Sequence, residues 1–104
     1  MSVAVELDDL QATSASYGWA YLMTVRDDLR PHAVAVSPTW ADGALVMAVG
    51  RGSARNALTR SSITLCYPPL DTTGFSLIVD GIAAVEGDVV TLTPTAAVLH
   101  RPAP

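Results

Sequence analysis

The sequence has no lysine, a single cysteine and few aromatic residues. All six of its basic residues are arginines, and ten acidic residues give the 104-residue chain a net charge of −4. An acidic chain neutralises nucleic-acid phosphates poorly, so this balance argues against general nucleic-acid binding. The lone Cys66 cannot form an internal disulfide, which is typical of a protein of the reducing cytoplasm.

The sequence also lacks the features of an exported or membrane-embedded protein. No apolar run approaches the roughly 18 residues of a membrane span. Asp8 and Asp9 lie where a secretory signal has basic and then apolar residues. Half of the chain is hydrophobic and only 15% is charged, which is enough to fill one core. We therefore expect a single cytoplasmic domain over residues 1–104, without membrane contact and small enough to gain buried surface by dimerising.

Apolar spacing predicts two helices and six strands. Val3–Ala15 form a weakly amphipathic helix in this interpretation, and Ser53–Arg60 form a short helix with Ser53 as its N-cap. The strands are predicted over Trp19–Arg26, His32–Trp40, Ala44–Val49, Ile63–Tyr67, Phe75–Val85 and Val89–Leu99. Asp42-Gly43 predicts a tight hairpin, whereas Asp80-Gly81 fits either a second turn or a bulge. Because helical crossovers between strands are almost absent, we expect a mainly antiparallel sheet that closes wholly or partly into a barrel.

The main candidate for a binding site is an acid-free stretch rich in arginine. No acidic residue lies between positions 42 and 71, and the stretch holds half of the basic residues, namely Arg51, Arg55 and Arg60. Cations near a helix N-terminus oppose the helix dipole unless an anion lies between them. Free N–H groups, the Ser53 hydroxyl, the Asn56 amide and guanidinium groups together form a phosphate cradle. The alternative is a solvated helix whose arginines pair with acids elsewhere in the chain or in a partner, and the spacing leaves both open.

Other patterns for catalysis or metal binding are absent from the sequence. The glycine-containing turn before the short helix lacks the third glycine of a dinucleotide fingerprint, and no nucleophile elbow occurs. His32 and His100 are far apart, with no acid or cysteine cluster at ligand spacing, so we expect no metal site. Trp40 and Tyr67 each end a predicted strand, where a large aromatic residue caps the core, contacts a dimer partner or stacks on a planar ligand.

Four segments of the chain resemble, in this order, the pyridoxamine-phosphate-oxidase-like split barrels: Tyr21–Trp40, Val49–Asn56, Leu77–Gly81 and Thr93–Pro102. The first is similar to their first hairpin, and the second to their phosphate loop and helix start. The resemblance covers nearly the whole chain, and its specificity lies in the order of short motifs. It implies a mainly β fold, a six-stranded antiparallel Greek-key split barrel with an N-terminal helix and one short helix between strands 3 and 4. It also implies a symmetric homodimer with a cofactor site in each of two grooves between the subunits.

The resemblance further implies a set of cofactor-binding residues. In such families FMN, or a deazaflavin in related branches, lies against the second and third strands. Carried over to this sequence, the phosphate contacts fall on Ser53, Arg55 and Asn56, assisted by Arg51. Backbone and hydroxyl groups toward the ring come from Ser37, Pro38 and Thr39. The dimer partner completes the pocket through Trp40 or Tyr67.

The chain also departs from that family. It is shorter than the vitamin-processing oxidases and lacks their C-terminal substrate-binding extension, so pyridoxamine phosphate is a poor substrate candidate. Relatives often place a lysine beside the phosphate, and this chain has none. We therefore expect a flavin-dependent oxidoreductase-like protein of unidentified substrate, with FMN favoured over a deazaflavin and no side chain identified as catalytic. The alternatives are a non-catalytic carrier of flavin or another anionic ligand, and a cofactor-free dimeric barrel.

Overall fold

The fold is one curled antiparallel sheet with two short helices. A computed structural model describes residues 1–103, and its elements in chain order are β1 (Ser2–Val5), α1 (Leu7–Ser14), β2 (Ala20–Val25), β3 (Pro31–Val36), β4 (Thr39–Ala41), β5 (Ala44–Ala48), α2 (Arg51–Thr59), β6 (Ser62–Tyr67), β7 (Ser76–Glu86) and β8 (Val89–His100). The predicted class, a mainly antiparallel β fold with an N-terminal helix and one short later helix, is confirmed. Neither helix within residues 1–103 is long and apolar enough to cross a bilayer.

The sheet curls because its two edges are joined by a very short connection. The strand order is β3-β2-β6-β7-β8-β5-β4, so β3 and β4 lie at opposite edges. Only Ser37 and Pro38 separate these two strands along the chain. Such a link spans at most roughly 11 Å, so the edges approach each other and the sheet forms a barrel that is split between β3 and the strand pair β4–β5.

Two predicted elements were wrong, and together they raise the number of strands from six to eight. The first residues of the predicted helix Val3–Ala15 form β1, which pairs with β8 in the register Ser2↔His100 to Val5↔Ala97. β-Branched residues at positions 3 and 5 suit a strand, and the helix begins only at Leu7. The predicted strand His32–Trp40 is divided into β3 and β4 at Pro38, because proline has no N–H to donate to a ladder.

Two turn predictions can be compared with the backbone directly. Asp42 and Gly43 both have positive φ, 50° and 77°, as the predicted tight hairpin between β4 and β5 requires. At the second position the structure shows a bulge, since the register of β7 against β8 shifts between Asp80 and Gly81. A Cβ atom on Gly81 would lie 2.5 Å from the carbonyl oxygen of Thr93. Only glycine therefore allows β8 to approach the bulge this closely.

The core lies inside the curled sheet and is built from small and medium aliphatic side chains. Inward and outward positions alternate along β2, where Ala20, Leu22 and Thr24 are buried. The largest side chains that are completely buried are Leu10, Leu22, Leu45, Met47, Leu65, Leu77, Val79, Val90 and Leu92. α2 packs against β2 and β7, and Gly52 and Ser53 in its first turn face β3 across the split of the barrel.

Candidate functional site

A groove runs along the split, between β3 and the end of β5. It consists of three adjoining cavities of about 330, 460 and 490 Å³. The first lies at Ser37, where it shares Ala35 and Ala48 with the second. The third lies at α2, where it shares His32 and Gly52 with the second. Volumes of this size are typical of small-molecule sites, which span about 300–1,000 Å³.

The walls of the middle cavity of the groove are mostly apolar, and β3 adds an unpaired edge. Val34, Val36 and Val49 line this cavity. Within residues 1–103, β3 pairs only with β2, so the backbone N–H and C=O groups along its other side are free to bind a ligand. A planar ligand with hydrogen-bonding edges suits this combination of apolar walls and free backbone groups.

The groove ends at the N-terminus of α2, which carries no internal cap. Gly50 is the N-cap residue, and no side chain caps the helix. The predicted N-cap, Ser53, lies instead in the first turn, so this prediction was wrong. The first helical bond runs from the Ala54 N–H to the Gly50 carbonyl oxygen at 3.0 Å, which leaves the preceding N–H groups without an acceptor in the helix. With no acidic residue in this turn, the helix end is electropositive and open to an anion.

Buried polar side chains are concentrated at the same end of the groove. Four polar side chains are buried within residues 1–103, and three of them are Thr24, Ser53 and Asn56. The amide Nδ2 of Asn56 donates to Thr24 Oγ1 at 3.1 Å, which fixes α2 on β2. Opposite Thr24 in the β2–β3 ladder is His32, whose buried Nδ1 has no hydrogen-bond partner. An unpaired buried nitrogen costs free energy.

The three arginines of the acid-free stretch have different partners. Asp27 lies in the hairpin between β2 and β3. Its Oδ2 pairs with Arg55 Nη2 and its Oδ1 with Arg60 Nη1, each at 3.2 Å. Hydrogen bonds from Arg60 and then Arg55 lower the pKa of Asp27 below its ordinary value of 3.8. Arg51 has no carboxylate within 4.0 Å among residues 1–103. The alternative, in which the arginines pair with acids elsewhere in the chain, therefore holds for Arg55 and Arg60 and not for Arg51. With three arginines and one carboxylate, this cluster is net positive.

The other predicted site residues divide between the groove and the protein interior. Ser37 lines the far end of the groove, followed by half-buried Pro38 and exposed Thr39. Trp40 Nε1 donates to Ser14 Oγ at 2.8 Å and ties β4 to α1. Tyr67 is 3% exposed, and burial raises its pKa to about 12. Neither aromatic side chain lines the groove of its own chain, and a contribution to a partner's groove stays a prediction.

The structure thus brings Ser53, Arg55 and Asn56 together at the α2 end and places Arg51 directly beside it. Thr24, Asp27 and His32 were missed from the sequence. Thr24 could have been found, because it continues the inward alternation of β2 with a polar residue. A Cβ atom added to Gly50 or Gly52 would meet nothing within 4 Å, so the backbone here has open space in front of it. Open backbone, free N–H groups and an arginine without a carboxylate partner in the described part of the chain, Arg51, fit the phosphate of a ligand whose apolar part lies along the groove.

The chain has relatives of similar sequence among known proteins. No protein-family model matches the chain. An uncharacterized protein of Mycobacterium bovis and one of Mycobacterium tuberculosis are each 37% identical to it over 116 residues, which covers 95% of this chain and 82% of theirs.

Solved structures share the fold at low sequence identity. A putative pyridoxamine 5′-phosphate oxidase from Listeria innocua aligns with a TM-score of 0.74 at 13% identity, covering 89% of this chain and 96% of that one. An FAD-binding protein from Mesorhizobium loti aligns with a TM-score of 0.72 at 11% identity, covering 95% and 96%. An F420 reductase aligns with a TM-score of 0.65 at 18% identity, covering 77% and 88%. The chain therefore belongs to the same family as the two mycobacterial proteins, and it shares the split-barrel fold of these three solved structures.

Proposed function

We propose that this protein is a homodimeric flavin-binding oxidoreductase that holds FMN in the groove. The observation that carries the proposal is the position of the uncapped α2 N-terminus at the end of an apolar groove. A ligand that fits has a flat, largely apolar part and one terminal anion, which are the properties of a flavin mononucleotide. When bound, the ring supplies hydride or electron chemistry, while the protein supplies orientation and electrostatics.

The residues of the groove divide into two sets. At the α2 end, the first-turn N–H groups, Ser53 and Arg55 receive the phosphate, with Arg51 beside them, and Asn56 keeps the helix in place through Thr24. Along the walls, valines and the free edge of β3 exclude water from one face of the ring and bind its polar rim. No cluster of three His, Cys, Asp or Glu side chains suited to a metal ion occurs within residues 1–103, and the proposal needs none.

The phosphate end of the groove supports FMN as the flavin. The fold neighbours are described as an F420 reductase, an FAD-binding protein and a putative pyridoxamine 5′-phosphate oxidase. A single helix terminus with open backbone suits one terminal phosphate, so we propose FMN. Tighter binding of a deazaflavin or of FAD in a side-by-side titration would replace FMN with that cofactor.

An apolar patch on the outside of the sheet supports the homodimer. On β2 and just before it, Trp19, Tyr21 and Met23 are 46%, 41% and 39% exposed and lie on one face. Their cross-strand neighbours on β3, Ala33 and Ala35, are also exposed. Trp19 and Ala35 line the Ser37 end of the groove as well. A second copy seated on this patch would therefore cover both the apolar surface and the open groove.

The dimer is tested by introducing a charge into the patch. We expect Tyr21→Glu to convert the dimer into a monomer, because a carboxylate buried in an apolar interface is unpaired. Light scattering coupled to size-exclusion chromatography measures the mass directly. The control is Leu70→Glu, at an apolar residue that is 72% exposed in the loop before β7. A wild-type chain that elutes as a monomer would refute the homodimer.

The phosphate anchor is tested with FMN and riboflavin, which differ only in the phosphate. We expect the wild-type protein to bind FMN at least about tenfold more tightly, the contribution of one or two charge-assisted hydrogen bonds. Arg51→Gln reduces this preference, whereas the control Arg101→Gln removes the same charge outside the groove and leaves it unchanged. Equal affinity for the two flavins, or no binding of either, would refute the anchor.

A second candidate function is a flavin carrier without turnover. One observation favours it: the Mesorhizobium loti neighbour is described by what it binds rather than by a reaction. Oxidation of a reduced nicotinamide or reduced deazaflavin by the FMN-loaded protein distinguishes the two. Turnover that depends on bound FMN identifies an oxidoreductase, and stable binding without turnover identifies a carrier.

A further inference from the structure

The hairpin between β2 and β3 holds the Asp27 carboxylate against the side chains of Arg55 and Arg60. Asp27 lies near the tip of this hairpin, and its two oxygens bind Arg55 and Arg60, both on or at the end of α2. The hairpin is shaped so that the following residue, Asp28, caps the turn through its bond to the Arg30 N–H at 3.1 Å. Asp27 has no such role in the turn, and its side chain is directed at the helix.

Asp27 and Arg55 are also part of the groove. Both line the α2 cavity, together with Gly52 and Asn56. An anion bound there would approach the Arg55 guanidinium and would meet the Asp27 carboxylate beside it. The Asp27 carboxylate accepts a hydrogen bond from Arg55 Nη2 at 3.2 Å, so a phosphate that approaches this guanidinium meets a group already bound to an anion. Both anions therefore compete for the same donor group.

The ion pair is loose enough to be displaced. The side chains of Arg55 and Asp27 are 74% and 59% exposed. Ion pairs this exposed contribute little stability, so exchanging the Asp27 carboxylate for a phosphate costs little. The Arg60 pair, in which the arginine is 35% exposed, retains Asp27 near the helix after Arg55 has been released. The lowered pKa of Asp27 keeps its carboxylate charged at neutral pH.

We propose that Asp27 is an intramolecular competitor for the phosphate of the ligand: it neutralises Arg55 in the free protein and lowers the affinity of the groove for FMN. This inference rests on the proposed function. Its consequence is that FMN leaves the groove faster than it would without the competing carboxylate. The opposite role, a support that holds Arg55 ready for the ligand, would require a guanidinium fixed by burial, and that of Arg55 is mostly exposed.

The test compares Asp27→Asn with Asp42→Asn. Both substitutions remove one negative charge, but Asp42 lies in the β4–β5 hairpin, and asparagine tolerates its positive φ of 50°. We expect Asp27→Asn to tighten FMN binding about fivefold and to slow FMN release, a change at the upper end of what an exposed ion pair contributes. Riboflavin affinity stays unchanged, because riboflavin has no phosphate. Asp42→Asn changes neither.

The outcomes separate the inference from the function on which it rests. If Asp27→Asn binds FMN as the wild type does, or more weakly, Asp27 is not a competitor, and the groove still binds flavin. If neither protein binds FMN or riboflavin, the proposed function fails and the inference fails with it. If Asp27→Asn tightens both flavins equally, the effect does not act through the phosphate, and the inference is again overturned.

Discussion

Replacing Gly52 with alanine separates the stability of α2 from its function. Gly52 is the second residue of α2 and lines the groove. Glycine inside a helix is less stable than alanine by about 0.5–1 kcal/mol. The position has open space around it, because an added Cβ would meet nothing within 4 Å. The protein therefore forgoes a stabilising methyl group at a site where the fold would accept one.

The expected result is a protein that is more stable and binds less well. A gain of about 0.5–1 kcal/mol raises the melting temperature of a domain of this size by roughly 2–8 °C. The same methyl group occupies the space through which a phosphate reaches the first-turn N–H groups. Loss of one charge-assisted hydrogen bond then weakens FMN binding by about tenfold or more.

Two measurements on Gly52→Ala test the expected gain in stability and the expected loss of FMN affinity. Thermal unfolding without ligand reports the change in stability, and quenching of flavin fluorescence during titration reports FMN affinity. Riboflavin serves as the control ligand, since its affinity should change less than that of FMN. A variant that binds FMN as tightly as the wild type would show that the backbone at Gly52 receives no ligand. A lower melting temperature would show that the helix argument is wrong.

Three further substitutions test the packing that surrounds the site. Gly81→Ala should destabilise the fold by about 1–3 kcal/mol in urea unfolding, because the new Cβ would lie 2.5 Å from the Thr93 carbonyl oxygen. The control is Gly18→Ala, since Gly18 has open space around it. Tyr67 has its pKa raised by burial from 10.0 to about 12, so its stabilising contribution is complete below pH 10 and falls by about 2–3 kcal/mol as pH rises to 12. Tyr67→Phe should flatten the decline of melting temperature in that window, and an unchanged decline would contradict the shift. Trp40→Phe removes the bond to Ser14 and should cost about 1 kcal/mol, measured in the same urea assay.

The local features of the fold and site were predictable from the sequence. The Asp42-Gly43 hairpin was predicted because a turn of this type needs two residues that accept positive φ. The acid-free stretch was visible because a helix N-terminus and its charges are close in sequence. The structure places that helix end at the groove, although its N-cap is Gly50 and not Ser53.

Features that depend on distant partners were not predictable in this way. β1 is a strand because β8, almost the whole chain away, offers it an edge; taken alone, its apolar spacing fitted a helix equally well. Asp27 was not identified as a site residue, since nothing in its neighbourhood shows that it contacts Arg55. His32 and Thr24 belong to the site only after β2 and β3 have paired. Such contacts follow from topology, which a pattern of nearby residues does not encode.

The short link between β3 and β4 makes the two ends of the groove mechanically unequal. At Ser37 the walls are joined by the polypeptide itself, so their separation there is fixed by covalent geometry. At the α2 end they are held only by side-chain contacts, which yield to thermal motion. Thermal motion therefore opens the groove most at the end lined by His32 and Gly52. A ligand enters through that end with its charged group last, and leaves with its charged group first.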